Sequence, residues 1–228
     1  MTISRPTLLS LNGGYVDTAG FLALQGLFTA HVTGNFVTLG ASLAHGFDGG
    51  WAKVLALPVF CVVVVLVRWS GVSWTDGHPG LLRGLLAAKL MLLSVACAGA
   101  IAWGPFPDVN SPAAIVVGLG LVAAMAIQNA LHRIHLGSAP PSTLMTGSTT
   151  QIMVDIADRL TGRTTIAGRA RLPRMAAAVA GFAVGCSMAA LFYVVAGMWC
   201  FAVPPIVALL TVIMPDVVPV PAAVAVPR

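Results

Sequence analysis

The stretch FTAHVTGNFVTLG, residues 28–40, places polar side chains around Gly34 inside a region that is otherwise apolar. The same Thr-Gly-polar step recurs about 110 residues later in STLMTGSTTQIMV, residues 142–154, with Gly147 at its centre. Glycine loosens a helix, and a polar group buried without a partner costs free energy. These two interruptions therefore decide how the chain folds and where a functional site is expected.

The composition is that of an integral membrane protein. Of the 228 residues, 58% are hydrophobic and only 8% are charged, and the mean hydropathy is +0.93. A soluble domain carries about 25% charged residues. Five of the 12 basic residues lie in residues 158–174, which contain no aromatic side chain for stacking on bases. We therefore expect the lipid bilayer as a partner and no nucleic acid. The basic segment either sets membrane orientation or binds anionic lipid headgroups.

Four segments are long and apolar enough to cross a bilayer, namely residues 51–70, 81–103, 175–196 and 198–216. Residues 7–45 and 112–158 are longer and broken, and each makes either two crossings or one crossing plus a re-entrant half-helix. If each broken region makes one net crossing, the chain has six spans and both termini lie inside. Nine basic residues are then inside, and Lys53 alone is outside. Two crossings each give eight spans and a balance of eight against three. The positive-inside rule favours six spans.

The two broken regions align with each other. Overlaying residues 29–44 on 142–157 at a shift of 113 matches the Thr-Gly steps, and upstream Asp17 falls opposite Gln128 and Asn129. Two plain spans follow each broken region. One integral membrane domain thus divides into a first repeat, residues 1–110, and a second, residues 111–228. Three net crossings per repeat insert the second repeat from the opposite side. We predict an all-α fold of two inverted three-span repeats, with chance alignment of small residues as the alternative.

Each Thr-Gly step predicts a helix start, at residues 35–45 and 148–160, because glycine lets the backbone turn and Thr, Asn and Ser are good N-caps. Within a bilayer, two such starts meeting from opposite sides offer N–H donors to one polar or anionic solute. A packing seam of small residues between helices is the alternative. The predicted substrate-binding residues are Asp17, His31, Thr33, Gly34, Asn35, Gln128, Asn129, Thr146, Gly147 and Ser148.

Ionisable residues inside apolar segments are further candidates, since charge is costly there. We expect Asp17 either to bind a coupling proton or cation, or to form an ion pair with Lys89. His31 suits a proton relay, with a hydrogen-bonded structural histidine as the alternative.

Other patterns point away from catalysis. Asp155 and Asp158 are expected to pair with Arg159 or Arg163 of the basic segment. The cysteines and histidines lack metal-ligand spacing, and no Ser-His-Asp set or glutamate is present. We therefore predict no enzymatic activity, no metal and no cofactor.

Residues 14–40, 124–134 and 142–162 resemble the YoaK-type family of bacterial inner-membrane proteins, which is filed as a domain of unknown function. The resemblance covers nearly the whole chain. It implies a bacterial inner-membrane protein of six to seven spans, and it implies no established substrate. The matching positions are Gly14, Asp17, Thr33, Gly34, Asn35, Gln128, Asn129, Thr146 and Gly147.

The predicted function is that of a secondary transporter or exporter for a small polar or anionic solute. A passive channel is the first alternative, and a non-transporting membrane sensor or partner subunit is the second. Small-residue faces on several helices also permit a homodimer.

Overall fold

The computed structural model describes residues 4–45, 50–72 and 79–215, and all regular structure in these ranges is helical. The all-α prediction is confirmed for this part of the chain. Arg228 and the predicted span end at residue 216 lie outside the described residues. In chain order the elements are α1 (Arg5–Ala23), α2 (Gly34–His45), α3 (Trp51–Val72), α4 (Pro79–Trp103), α5 (Pro112–His135), α6 (Met145–Leu160), α7 (Ile166–Ala196), the 3₁₀ segment η1 (Gly197–Ala202) and α8 (Val203–Ile213).

Within the described ranges, four helical stretches are long and apolar enough to cross a membrane: Trp51–Ser70, Gly80–Trp103, Pro112–His135 and Ile166–Ile213. The last of these contains α7, η1 and α8. Large apolar side chains point outward from the bundle; Val62, Leu66 and Val194 are each more than half exposed. Such a surface suits lipid rather than water, so the protein is a multi-pass membrane protein.

Each broken region folds as a long helix, an irregular loop and a shorter helix. The first loop, residues 24–33, joins α1 to α2, and the second loop, residues 136–144, joins α5 to α6. The first loop reverses the chain at Gln25 and Gly26, whose φ angles are 48° and 92°. The predicted helices at 35–45 and 148–160 are found at Gly34–His45 and Met145–Leu160.

Glycines bring α1 and α7 into backbone contact. A Cβ added to Gly185 would overlap the Leu11 carbonyl oxygen, and one added to Gly181 would lie 3.1 Å from that of Thr7. Gly181 and Gly185 have the small-xxx-small spacing that lets membrane helices approach closely. Because the contacting residue numbers rise together, α1 and α7 run in the same direction.

By contrast, α1 and α5 run in opposite directions. The Leu9 carbonyl near the start of α1 accepts a hydrogen bond from Gln128 late in α5, whereas Leu24 at the end of α1 lies beside Gly118 early in α5. The neighbours of the two helices also correspond. α1 contacts α7 and α8, α5 contacts α3 and α4, and α2 and α6 pack on α3 and α7 respectively.

The helix ends meet at two opposite ends of the bundle. At one end, Arg5 donates to the Thr211 carbonyl, so α1 begins where α8 ends. At the other, Asn110 accepts from the backbone N–H of Trp51, and Gln25 donates to carbonyls of the α4–α5 loop. Since α1 ends and α3 begins at this second end, the first loop and α2 connect two helix ends that lie at the same end of the bundle.

Candidate functional site

Asp17 holds the first loop in place. The residue is 5% exposed and lies on α1 beside the buried apolar residues Tyr15, Val16 and Ala19. Its Oδ1 accepts hydrogen bonds from the backbone N–H groups of Thr29 at 2.8 Å and Ala30 at 2.7 Å.

The other carboxylate oxygen of Asp17 lies 2.7 Å from His31 Nδ1. Successive backbone N–H groups form a natural site for an anion. In the first loop that anion is the protein's own carboxylate.

The second loop is also held by side chains of the preceding long helix, here the amides of Gln128 and Asn129 instead of a carboxylate. Thr143 Oγ1 donates to Asn129 Oδ1 at 2.6 Å, and Gln128 Nε2 donates to Ser142 Oγ at 3.0 Å. In each case the helix residue precedes its loop partner by 14 positions, as Asp17 precedes His31. Asp17, Gln128 and Asn129 therefore occupy equivalent places relative to their loops.

His31 lies between the two loops. In addition to its contact with Asp17, its ring lies close to the backbone of Thr143. The ring also packs edge-on against Phe182, with centroids 5.3 Å apart. The pair of Asp17 and His31 thus lies next to the pair of Thr143 and Asn129, between α1 and α5, and we call these four residues the polar centre.

Lys89 lies beside the polar centre in a separate network. Its side chain is fully buried, and Nζ donates to Gln128 Oε1. The Gln128 amide nitrogen in turn donates to Ser142 and to the Leu9 carbonyl. Asp17 and Lys89 therefore do not form the ion pair that was considered from the sequence, because each has other partners. Asp17 engages the first loop, and Lys89 engages Gln128.

The first Thr-Gly step shapes its loop from outside the polar centre. Asn35 is 2% exposed, accepts from the Phe28 backbone N–H at 2.9 Å, and donates to the Phe28 carbonyl at 2.8 Å. Gly34 leaves room for the Phe28 ring, which a Cβ would meet at 2.8 Å. Thr33 is exposed. The predicted role of Asn35 as a helix cap is thus replaced by closure of the first loop.

The second Thr-Gly step is more open. α6 begins at Met145, with Leu144 at the N-cap position and no side-chain capping bond, so the prediction of Thr146 or Ser148 as its cap is wrong. Thr146 and Gly147 are exposed, because the helix starts one turn earlier than predicted. The Ser148 hydroxyl is buried and has no partner among the described residues.

A cavity of about 310 Å³ lies beside the second loop. Phe60 and Val64 of α3 form its apolar wall. The cavity borders directly on the polar centre, which contributes two of its lining residues. Its polar lining consists of Asn129, His132, Arg133, Ser142 and Thr143.

Sequence reasoning missed Thr29, Ser142 and Thr143, the loop partners of the predicted helix residues. Nothing in the local pattern marks them, since Ser and Thr are frequent in this chain. The 14-residue spacing seen from Asp17 to His31 identifies Ser142 and Thr143 from Gln128 and Asn129, whereas Thr29 lies 12 positions after Asp17 and has no such signal.

The basic segment also pairs differently from the prediction. Arg171 holds Asp155 with two hydrogen bonds, at 2.6 and 3.1 Å, and Gln151 adds a third at 3.0 Å. Asp155 therefore pairs with Arg171 rather than with Arg159 or Arg163. This contact ties α6 to α7. The described residues contain no cluster of three or more His, Cys, Asp or Glu side chains that could hold a metal.

Comparison with known sequences gives the chain its family. A family described as "Protein of unknown function (DUF1275)" matches residues 6–214. The protein belongs to the DUF1275 family. It is also 31% identical over 158 residues to the UPF0700 transmembrane protein YoaK of Bacillus subtilis (strain 168), covering 68% of this chain and 67% of that protein. No solved structure matches. The resemblance predicted from the sequence is thus confirmed, and the family itself has no described function.

Proposed function

We propose that this DUF1275 protein is a secondary transporter or exporter of a small polar or anionic solute in the bacterial inner membrane. The observation that carries the proposal is the polar centre, in which the buried Asp17 carboxylate binds the first loop and His31 next to the second loop, inside an apolar bundle. Ionisable groups and non-helical backbone are tolerated at membrane depth only where protein or a water-filled cavity satisfies them, and they mark transport pathways by default.

Inverted repeats with six crossings are the architecture that we propose. The opposite directions of α1 and α5 support this arrangement, as does the corresponding set of neighbours around each helix. In this architecture α1, α3, α4, α5, α7 and α8 cross the membrane, and α2 and α6 are re-entrant helices. Transporters of this kind bind solute and coupling ion where the repeats meet.

The distribution of charge supports cytoplasmic termini. Arg5 lies at the bundle end where α8 finishes, and Arg169, Arg171 and Arg174 lie near the start of α7. Lys53 lies near Gly26, at the end where α1 finishes. The positive-inside rule assigns the arginine-rich end to the cytoplasm.

The proposed coupling step is proton binding at Asp17 and His31. With Asp17 ionised, its two oxygens hold the backbone of the first loop and the His31 ring at once. A proton bound by this pair changes the charge that closes the first loop. Because His31 lies close to the backbone of Thr143, we infer that the change also affects the second loop and the adjoining cavity.

Proton movement in reconstituted vesicles tests this function. Purified full-length protein is placed in vesicles that contain a pH-sensitive dye, and gradients of sulfate, phosphate or benzenesulfonate are applied. These anions stay charged and do not carry protons through lipid unaided. We expect at least one of them to drive a pH change that the Asp17→Asn variant abolishes.

Asp108→Asn is the matched control, because Asp108 is an exposed carboxylate on the α4–α5 loop. Anion flux that persists unchanged in Asp17→Asn would instead indicate a passive channel. The transporter proposal is rejected if wild-type and protein-free vesicles respond alike to every anion.

A further inference from the structure

We propose that the cavity beside the second loop binds a small monoanion that has an oxyanion head and an apolar body, such as a carboxylate. This inference rests on the proposed transport function and names its substrate class. The cavity volume of about 310 Å³ is at the lower limit for small-molecule sites. Only a compact ligand fits into a cavity of this volume.

The charge of the cavity favours an anion. Arg133 lines the cavity, is exposed, and pairs with no acidic side chain among the described residues. A guanidinium binds carboxylates and related oxyanions through two parallel hydrogen bonds. Of the acids in the described ranges, Asp17 and Asp155 are already engaged by His31 and Arg171. Among the described residues, the cavity lining contains no carboxylate.

A second polar group in the cavity wall lacks a partner. His132 is 7% exposed, and its Nε2 bonds to the Ala139 carbonyl at 3.3 Å. Its Nδ1 is buried and has no partner among the described residues. Because Nε2 donates to that carbonyl, Nδ1 of the neutral ring is an acceptor and offers no proton to an anion, so the oxyanion is recognised by the guanidinium of Arg133.

The first loop shows which group the second loop lacks. There the Asp17 carboxylate accepts hydrogen bonds from the loop backbone and faces His31. The equivalent residue on α5 is Asn129, which carries no charge and lines the cavity. A ligand oxyanion would supply to the second loop the negative charge that the protein itself supplies to the first.

The apolar residues of the lining determine the rest of the ligand. Phe60, Val64 and Leu144 present apolar surface to the cavity. Apolar surface stabilises a hydrocarbon or aromatic body, whereas a small inorganic ion would leave this wall uncovered. One charged head and one apolar body together define the ligand class.

Calorimetric titration of the purified full-length protein tests the assignment, with benzoate as the probe and benzamide as its neutral counterpart of the same shape. We expect benzoate to bind and benzamide to bind at least about tenfold more weakly, the size of one lost charge-assisted contact. No benzoate binding, or equal binding of the two compounds, overturns the proposal.

Two variants locate the bound probe. Arg133→Gln and Asn129→Asp should each weaken benzoate binding about tenfold or more, the first by removing the cation and the second by adding a competing carboxylate. Arg159→Gln is the matched control, since Arg159 is an exposed arginine on α6 outside the cavity lining. One cavity variant that folds is enough for the test. If that variant binds benzoate with wild-type affinity, benzoate binds elsewhere and the assignment is overturned.

Benzoate binding and coupled flux, measured side by side on the wild type, separate this inference from the transport proposal. Benzoate binding without any coupled flux in the wild type would reject transport and leave the anion site standing. Coupled flux of another anion, with no benzoate binding, would reject only the assignment of this cavity.

Discussion

The first and second loops share one construction and differ in charge. Each is held by a polar residue on the preceding long helix, 14 positions upstream of a loop partner; this residue is buried in the first case and half-buried in the second. In the first loop that residue is Asp17, whose carboxylate binds backbone N–H groups and His31. In the second it is Asn129, bound to the Thr143 hydroxyl, with a cavity beside it.

The difference separates two tasks within one scaffold. Hydrogen bonds to a charged group are about twice as strong as neutral ones, so the first loop is fastened by its own anion. The second loop has neutral fastening and an adjoining cavity that contains Arg133 and His132. Two loops of similar construction therefore provide an ionisable pair at the first loop and space for an anion at the second.

The largest expected effect comes from removing the side chain that fastens each loop. Asp17→Ala leaves two buried backbone donors and the His31 ring without their acceptor, and each unmet buried group costs about 1–3 kcal/mol. We expect Asp17→Ala to lower the free energy of unfolding by about 3 kcal/mol or more. Asn129→Ala should cost about 1 kcal/mol, because the freed Thr143 hydroxyl borders the cavity and can reach water.

Denaturation of the purified protein in detergent measures both changes. Asp17→Asn serves as the control, since it keeps an acceptor oxygen for the loop backbone and should lie between the wild type and Asp17→Ala. Equal losses for the two alanine variants would show that the charge difference between the loops has no energetic consequence.

A smaller effect is expected from the loop hydroxyls. Thr143→Val removes the 2.6 Å bond to Asn129 and should cost about 1 kcal/mol. Thr29→Val should cost clearly less, because its hydroxyl is 3.4 Å from Asp17 Oδ1, which keeps its shorter bonds from backbone N–H groups. The same denaturation experiment ranks the two variants. The reverse ranking would contradict the assigned geometry of the loops.

The smallest effect is local and concerns the helix that follows the second loop. The Arg171 guanidinium holds the pKa of Asp155 below its usual value. The contact therefore stabilises the attachment of α6 at pH values above the ordinary carboxyl range, and the stabilisation is lost as pH falls through the lowered pKa. We expect amide hydrogen exchange in α6, corrected for intrinsic rates, to rise in that acidic range while exchange in α2 changes little.

Asp155→Asn provides the matched variant for this measurement. It should show faster exchange in α6 already at neutral pH, with no further rise on acidification. Identical exchange in α6 for the wild type and the variant at neutral pH would mean that other contacts hold this helix to α7.

The helices were predictable, and much of the polar centre was not. The bounds of α2 agree with the prediction to one residue, because Gly34 and an apolar run mark the start locally. Asp17 was identified because a carboxylate in an apolar segment is conspicuous. Its partners Thr29 and Ala30 bond through backbone N–H groups, which every residue except proline possesses, so no residue type signals them.

The sequence by itself determined the membrane environment, the helices and the presence of two matched interruptions, because hydropathy and glycine placement act along the chain. Only the tertiary structure decided that Asp17 bonds to His31 and the first loop, that Lys89 bonds to Gln128, and that a cavity lies beside the second loop. These outcomes depend on which helices pack side by side and on how far each loop extends into the bundle. That depth is set by packing between α1, α5 and α7, which no local pattern encodes.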